Sequence, residues 1–272
     1  RGNLPSTIVR DVTESRIDSN YYLDFGNTGN AGVHILPFDG HAISVTGDAG
    51  SITQFMYPGD LTAFDGITTE EIGDLRYAAL KNNTLAVLSG IDGLMNFDLT
   101  DGFNLTSQIS TSALTAESKR TIAWYGDNIL VSEGTEGAGI YSFESNSKVG
   151  SLPLKTHPDA STISTEDAVT NAVSTDGNYV YMANGGAGLD ILKLDDDLTP
   201  IAEGIAEIEG SANFVQAKGD YIYVASGKGL KILRIISVED APDTSPEEFL
   251  SCSDYPVFDG KKNLTVTPST IE

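Results

Sequence analysis

The stretch NAVSTDGNYVYMANGGAGLDILKL, Asn171–Leu194, is repeated further along the chain as NFVQAKGDYIYVASGKGLKILRI, Asn213–Ile235. Both copies contain a short apolar run, a polar turn with a glycine, a Tyr-rich alternating run, a second glycine break and another alternating run. Alternation with a period of two, bounded by turn residues, indicates β-strands joined by hairpins. Self-similarity of this kind indicates a repeat fold.

Three earlier segments carry the same pattern, which makes five copies in all. The three begin at His34, Arg76 and Arg120. The glycine that opens the third run of each copy falls at Gly50, Gly93, Gly139, Gly188 and Gly229. A fourth run such as PIAEGIAEI gives each unit four short strands, which is typical of a β-propeller blade. Helical periodicity is nearly absent from the chain.

The sequence therefore predicts an all-β fold: one β-propeller domain over residues 1–272, built from four-stranded antiparallel blades. Five blades correspond to units near 33–75, 76–119, 120–170, 171–212 and 213–250. Both chain ends resemble half-blades, because DYPVFDGKKNLTVTP near the end matches ILPFDGHAISVTG in the first unit. A closing blade made from 251–272 and 1–32 would leave no free sheet edge there. This arrangement gives six blades, with seven as the alternative if an insertion or a truncation hides one.

The segments YVYMANGGAGLDILKL and YIYVASGKGLKILRI resemble the LVIVD-repeat β-propellers of bacterial exported and cell-surface proteins. The unit of that family runs Tyr-x-Tyr-Val-Ala, a glycine break and then Gly-Leu-x-Ile-x-Asp. The match is good in the last two copies, fair in those with GLMNFDL and GAGIYSF, and poor in the first, with GSITQFMYP. The resemblance implies an exported protein, located at the cell surface, in the periplasm or outside the cell, and it assigns no chemistry.

The charge balance limits the class of partner. Acidic residues outnumber basic ones 39 to 16, which gives a formal net charge of −23. Such a surface repels phosphate backbones, so we expect no nucleic-acid partner. No run reaches the roughly 20 apolar residues of a membrane span, so we expect no direct membrane insertion. Because the chain opens with RGNLPSTIVR, without an initiator Met or a signal-peptide core, we expect a mature form or part of a longer surface polypeptide.

One position recurs with a shared property in all six predicted blades. Counting back six residues from the first turn of each unit gives His34, Arg76, Arg120, Asn171, Asn213 and Asp254. All six side chains are polar, and each begins a predicted innermost strand, whose starts surround one mouth of a propeller channel. This channel-mouth ring could hold a carboxylate or the hydroxyls of a sugar. The alternative is that these side chains cap strand ends and bind loops or water.

Two further sets of residues are weaker candidates. Trp124 and Tyr125 replace the small or polar residues of other copies and could stack on a ligand, with packing in the core as the alternative. The acid-rich turns at Asp195, Asp196 and Asp197, and at Asp98 and Asp101, could bind Ca²⁺, although such acids more often form Asx-turns. We therefore expect no cofactor, with Ca²⁺ as the alternative.

The sequence contains few candidate catalytic residues. Three histidines occur, and HExxH, GxSxG and Walker motifs are absent from the sequence. We therefore expect a non-catalytic binding or scaffold propeller that recognises a protein or a glycan through its channel mouth and loops. The alternatives are a hydrolase of the lactonase or glycosidase propeller type and a spacer module in a longer polypeptide.

Overall fold

A computed structural model describes three continuous stretches, 74–111, 120–155 and 167–234, together with isolated strands outside them. The isolated strands lie at 7–9, 22–24, 32–38, 41–46, 51–56, 64–68 and 265–266. The described residues form twenty-two β-strands and no helix, which agrees with the predicted all-β class. Within this described part, no helix has the length and apolar character to span a membrane.

Five four-stranded sheets follow one another along the chain. The first contains β3 (Gly32–Phe38), β4 (His41–Thr46), β5 (Ser51–Met56) and β6 (Phe64–Thr68). The second contains β7 (Leu75–Lys81), β8 (Thr84–Ser89), β9 (Gly93–Asp98) and β10 (Asn104–Ile109). The third contains β11 (Ile122–Tyr125), β12 (Asn128–Ser132), β13 (Ala138–Ser142) and β14 (Ser147–Leu152). The fourth contains β15 (Ala172–Thr175), β16 (Val180–Ala183), β17 (Leu189–Leu194) and β18 (Pro200–Ala206), and the fifth contains β19 (Ala212–Lys218), β20 (Tyr221–Ser226), β21 (Gly229–Arg234) and β22 (Thr265–Val266).

The first four sheets are antiparallel meanders, in which each strand pairs with its neighbour in the chain. This confirms the four-stranded antiparallel unit of the blade prediction. Tight turns set the register: two residues separate β7 from β8, β11 from β12, and β19 from β20. The first residue of each of these turns has a positive φ, of 52° at Asn82, 57° at Gly126 and 59° at Gly219. A positive φ is what a two-residue hairpin turn that follows the twist of the strands requires.

The strands described at the two chain ends do not pair with each other. Two further strands, β1 (Thr7–Val9) and β2 (Tyr22–Asp24), pair with each other in antiparallel orientation. At the other end, β22 pairs in parallel with β21 and so becomes the fourth strand of the fifth sheet. Most of 251–272 and 1–32 lies outside the described residues, so the closing blade stays a prediction.

The sequence places the break glycine of the third unit at Gly139, whereas the structure has it at Gly137. Gly137 adopts a φ of 89°, like Gly93 at 81° and Gly188 at 92° in the neighbouring sheets. Gly139 instead lies within β13. In the segment GTEGAG the last two glycines, Gly137 and Gly139, are two residues apart, which is the period of a strand. A shift of two keeps every side chain on its predicted face, so the alternating pattern cannot distinguish the two registers.

The chain divides into two compact units, Arg1–Leu130 with Ile140–Val149, and Val131–Gly139 with Gly150–Glu272. In the first unit, an apolar core includes Ile43, Leu75, Leu85 and Phe97. In the second unit, the core includes Tyr181, Leu189, Val215 and Val224. The first strands of successive sheets contact each other within each unit: β3 contacts β7, β7 contacts β11, and β15 contacts β19. Face-to-face packing of this kind is how the blades of a propeller bury their apolar faces.

Candidate functional site

Four of the six channel-mouth residues occupy one register position, where the first strand of a sheet begins. The exception in the first sheet is His34, which pairs with Val45 as Tyr77 pairs with Leu88, so that Val33 and not His34 matches Arg76. His34 lies in β3, Arg76 in β7 and Asn213 in β19. Asn171 directly precedes β15, and Arg120 lies two residues before β11. The sixth, Asp254, lies outside the described residues. The equivalence of these positions therefore holds in the second to fifth sheets, and the predicted equivalence of His34 is wrong by one residue, because the count started from the second residue of the turn between β3 and β4.

In the first unit, Arg76 is paired with a carboxylate that the sequence analysis did not identify. Its Nη2 donates to Oδ2 of Asp74 at 2.6 Å, and both side chains are partly buried. Gly90 makes room for this pair, because a Cβ at that position would overlap the Asp74 carboxylate. The backbone N–H of Gly90 also donates to the Asp74 carbonyl at 2.8 Å. A carboxylate ligand would therefore have to compete with Asp74 for the guanidinium.

Strand alternation does not predict this pair, because Asp74 lies before β7 with a φ of 52° and Arg76 lies at a register shift within the strand. Asp74 also ends the polar segment GITTEEIGD, residues 66–74, whose composition is typical of a surface loop. The position of Gly90 opposite the pair depends on strand pairing and could not be obtained from local spacing.

Next to this pair, the ring of His34 stacks on Tyr77, with the ring centroids 4.1 Å apart and the planes tilted by 33°. Burial lowers the pKa of His34 below its ordinary 6.5. Burial also raises the pKa of Tyr77 to about 12. Both side chains are therefore neutral near pH 7, and His34 offers one hydrogen-bond donor and one acceptor.

His34→Gln should make the stability of the protein less dependent on pH between about pH 7 and pH 5. In the unfolded chain His34 titrates near 6.5, and in the folded chain it titrates lower. Between these two values the unfolded state binds more protons, so stability falls as the pH falls through this window. The variant lacks this contribution. Between pH 7 and pH 5 the urea midpoint of the wild type should fall more steeply than that of the variant, and parallel curves for the two proteins would contradict the prediction.

In the second unit, the two asparagines of the ring bind loop backbone. Nδ2 of Asn171 donates to the Ala212 carbonyl at 3.2 Å. Nδ2 of Asn213 donates to the Ser211 carbonyl at 2.7 Å. These bonds are the ones that the strand-capping alternative describes. They hold the start of the fifth sheet in place, and Oδ1 of Asn213 also accepts from the Ser211 hydroxyl at 3.5 Å. Arg120, in the first unit, is buried, with 6% of its surface exposed.

Trp124 makes contacts that fit the packing interpretation. Its Nε1 donates to the Ala79 carbonyl in β7 at 3.1 Å. Nζ of Lys81 lies 5.4 Å from the centroid of the indole ring, and Phe143 lies 5.8 Å away on a tilted plane. The indole therefore joins the second sheet to the third. Its neighbour Tyr125 is half-buried at the end of β11, and stacking on a ligand stays a prediction for both residues.

In the acid-rich turns, aspartate carboxylates accept hydrogen bonds from residues of the same turn. Oδ1 of Asp195 accepts hydrogen bonds from the backbone N–H groups of Asp197, at 3.1 Å, and Thr199, at 2.8 Å. Oδ1 of Asp98 accepts in the same way from Thr100. These are Asx-turns. Across the ranges that the structure describes, no three His, Cys, Asp or Glu side chains are close enough together to hold a metal ion.

Comparison with known proteins identifies the repeat. The family model named LVIVD repeat matches residues 169–194 and 209–253. No curated protein matches the chain. Among solved structures, the crystal structure of the computationally designed Ika8 protein, crystal packing No. 1 in P63, aligns with a TM-score of 0.55 and 10% sequence identity.

That alignment covers 78% of this chain and 61% of the designed protein, so this chain spans about six-tenths of that protein's length. At such low identity the likeness concerns the fold alone. The family match concerns the sequence itself, and its two segments contain the two copies on which the fold prediction rests, Asn171–Leu194 and Asn213–Ile235. The resemblance is thereby confirmed for these two segments, which match the LVIVD repeat, and the described residues form all-β four-stranded sheets that resemble propeller blades.

Proposed function

We propose that this chain is a non-catalytic binding propeller of an exported bacterial protein, with six blades, the last closed by both chain ends. In this proposal it recognises a protein or glycan ligand through the polar side chains at the starts of its first strands and the loops beside them. One observation carries the proposal: this register position is polar in the second to fifth sheets, where its residue type changes between Arg and Asn, and His34 lies one residue beyond the matching position of the first sheet.

The change of residue type supports a binding role over a purely structural one. Positions that only support a repeat tend to keep one residue type, as the recurring glycines and the apolar core positions do here. Leu75, Ala172 and Ala212, which adjoin ring residues, are all buried apolar residues. Unlike polar groups at one repeated position are what an asymmetric ligand requires, because each of its groups needs a different partner.

The pairing in the first unit favours a neutral, polar ligand. Since Arg76 is paired with Asp74, the two together offer donors and acceptors with no net charge. The neutral His34 adds one donor and one acceptor. A peptide backbone or a sugar carries both kinds of group, whereas an anion would meet a chain with a net charge of −23.

Arg76→Lys tests the proposal without removing a charge. Lysine can still pair with Asp74, but it lacks the planar fork of N–H donors that arginine presents. Arg234→Lys is the matched control, because Arg234 pairs with Asp220 at 3.6 Å at the end of β21, away from the predicted ring. The two variants and the wild type would be screened on a glycan array and a peptide library, and the affinities for bound probes would be measured by biolayer interferometry.

We expect the wild type and Arg234→Lys to bind a probe equally and Arg76→Lys to bind it about tenfold more weakly, since one charge-assisted hydrogen bond is lost. Absence of any bound probe, or equal binding by all three proteins, would contradict the proposal. Turnover of chromogenic lactones or glycosides by the purified protein would replace it with the hydrolase alternative.

A further inference from the structure

We propose that a polar cleft in the second sheet binds the neutral, hydroxyl-rich ring of a carbohydrate. The cleft has a volume of about 490 Å³ and is lined by Asn82, Asn83, Thr84, Asn96, Asp98, Thr100 and Thr106. It lies where β7 turns into β8 and β9 turns into β10, whereas Arg76 lies at the other end of β7. This site is distinct from the proposed channel-mouth ring and does not depend on it.

The cleft contains acceptors that the protein leaves unused. Oδ1 of Asp98 accepts from the backbone N–H of Thr100 at 2.9 Å and from its hydroxyl at 2.7 Å, while Oδ2 has no donor among the described residues. Oδ1 of Asn96 is buried and also has no donor within the described part of the chain. Because the protein encloses this oxygen, a ligand could donate to it only if the Asn96 side chain moved, whereas Oδ2 of Asp98 is available without any movement.

The remaining groups of Asn96 are fixed. Its Nδ2 donates to the Thr106 hydroxyl at 3.1 Å, and that hydroxyl donates to the Asn96 carbonyl at 3.0 Å. Exchange of Oδ1 and Nδ2 would lose the bond from Nδ2 to the hydroxyl, so that contact favours the present orientation of the amide, whereas the bond to the backbone carbonyl does not depend on it. At the rim, the exposed amides of Asn82 and Asn83 supply donors as well as acceptors.

This combination suits the hydroxyls of a sugar. A carboxylate oxygen accepts from the hydroxyls, and the side-chain amides donate to hydroxyl oxygens and accept from others. The Thr100 hydrogen bonds lower the pKa of Asp98, which keeps its carboxylate ionised and acceptor-only. The lining contains a carboxylate and no cationic side chain, so a phosphate or an acidic sugar would be repelled.

The size of the cleft also favours a sugar-sized ligand. Its volume falls within the roughly 300–1,000 Å³ of small-molecule sites. Calcium takes six to eight oxygens at about 2.3–2.6 Å, a cage much tighter than this cleft. Asp98 is the single carboxylate in the lining. The geometry therefore favours an organic polyol over a bare cation.

Asp98→Asn removes the unused carboxylate oxygen and keeps an Oδ1 that can accept from Thr100. Asp195→Asn is the matched control, because Asp195 forms the same kind of Asx-turn in the fourth sheet with its Oδ1. The probes are glucose, galactose, mannose, N-acetylglucosamine and their disaccharides at millimolar concentration. Saturation-transfer difference NMR would detect binding, and titration would give the affinities.

We expect at least one of these sugars to bind the wild type and Asp195→Asn with the same affinity, in the presence of a calcium chelator. Asp98→Asn should bind it at least about tenfold more weakly, because a hydrogen bond to a charged acceptor is lost. No binding of any probe, equal binding by Asp98→Asn, or binding of Ca²⁺ alone would overturn the proposal. Sugar binding that Arg76→Lys weakens and Asp98→Asn does not would also overturn it, since the sugar would then occupy the ring.

Discussion

Gly137→Ala should lower the free energy of unfolding by roughly 3–4 kcal/mol. Gly137 is buried and has a φ of 89°, a conformation that costs an L-residue about 1–2 kcal/mol. A Cβ at this position would also overlap the carbonyl oxygen of Leu152 and lie 2.6 Å from the backbone nitrogen of Leu154. Because both obstacles are backbone atoms, β13 or the end of β14 must move to accommodate the methyl group.

Gly126→Ala is the matched control in the same sheet. Gly126 also has a positive φ, of 57°, but an added Cβ would have no neighbour within 4 Å. Its cost should be limited to the backbone term, about 1 kcal/mol. Urea unfolding of the two variants measures both effects, with the midpoint reporting stability if the slope stays constant. Equal destabilisation by the two substitutions would show that the contact between Gly137 and β14 is wrong.

Trp124→Ala should cost about 3 kcal/mol, since it removes a large aromatic side chain that is packed between two sheets. The indole hydrogen bond to Ala79, the Lys81 ammonium over the ring and the contact with Phe143 are all lost together. The carbonyl of Ala79 would also lose its donor. Trp124→Phe keeps most of the ring contacts and should cost about 1 kcal/mol through the lost hydrogen bond.

These two variants also distinguish packing from ligand stacking at Trp124. If the indole were exposed for stacking, Trp124→Ala would keep nearly full stability and lose affinity for the ligand. If it joins the second and third sheets, the urea midpoint should fall strongly for Ala and slightly for Phe. A midpoint for Trp124→Ala within error of the wild type would refute the packing interpretation.

Much of the fold could be predicted because the deciding interactions are local and repeated. The turn KGD ahead of Tyr221 combines a glycine with a polar residue, and the structure has a two-residue hairpin with a positive φ at Gly219. The period-two alternation in Asn171–Leu194 gives three strands of one meander. Five copies reinforce one another, so an error in one unit does not change the assignment of the fold.

Predictions that depended on long-range pairing were less complete. The parallel pairing of Thr265–Val266 with β21 joins segments distant in the chain, and nothing in the local pattern indicates it. The cleft brings together Asn82, Asn96 and Thr106 from three strands and turns, which acquire a common site only when the meander forms. The sequence predicts Asp98 as a candidate calcium ligand; in the structure its carboxylate accepts from Thr100 and lines the cleft.

In the proposed architecture, the six polar side chains of the ring surround one opening of a six-bladed propeller. A crystal structure of the full chain, purified without chelator, measures this most directly. We expect six blades, the last containing strands from both chain ends, with His34, Arg76, Arg120, Asn171, Asn213 and Asp254 around the same mouth of the channel. Another blade number, or a distribution of these six side chains over different faces of the molecule, would contradict the claim.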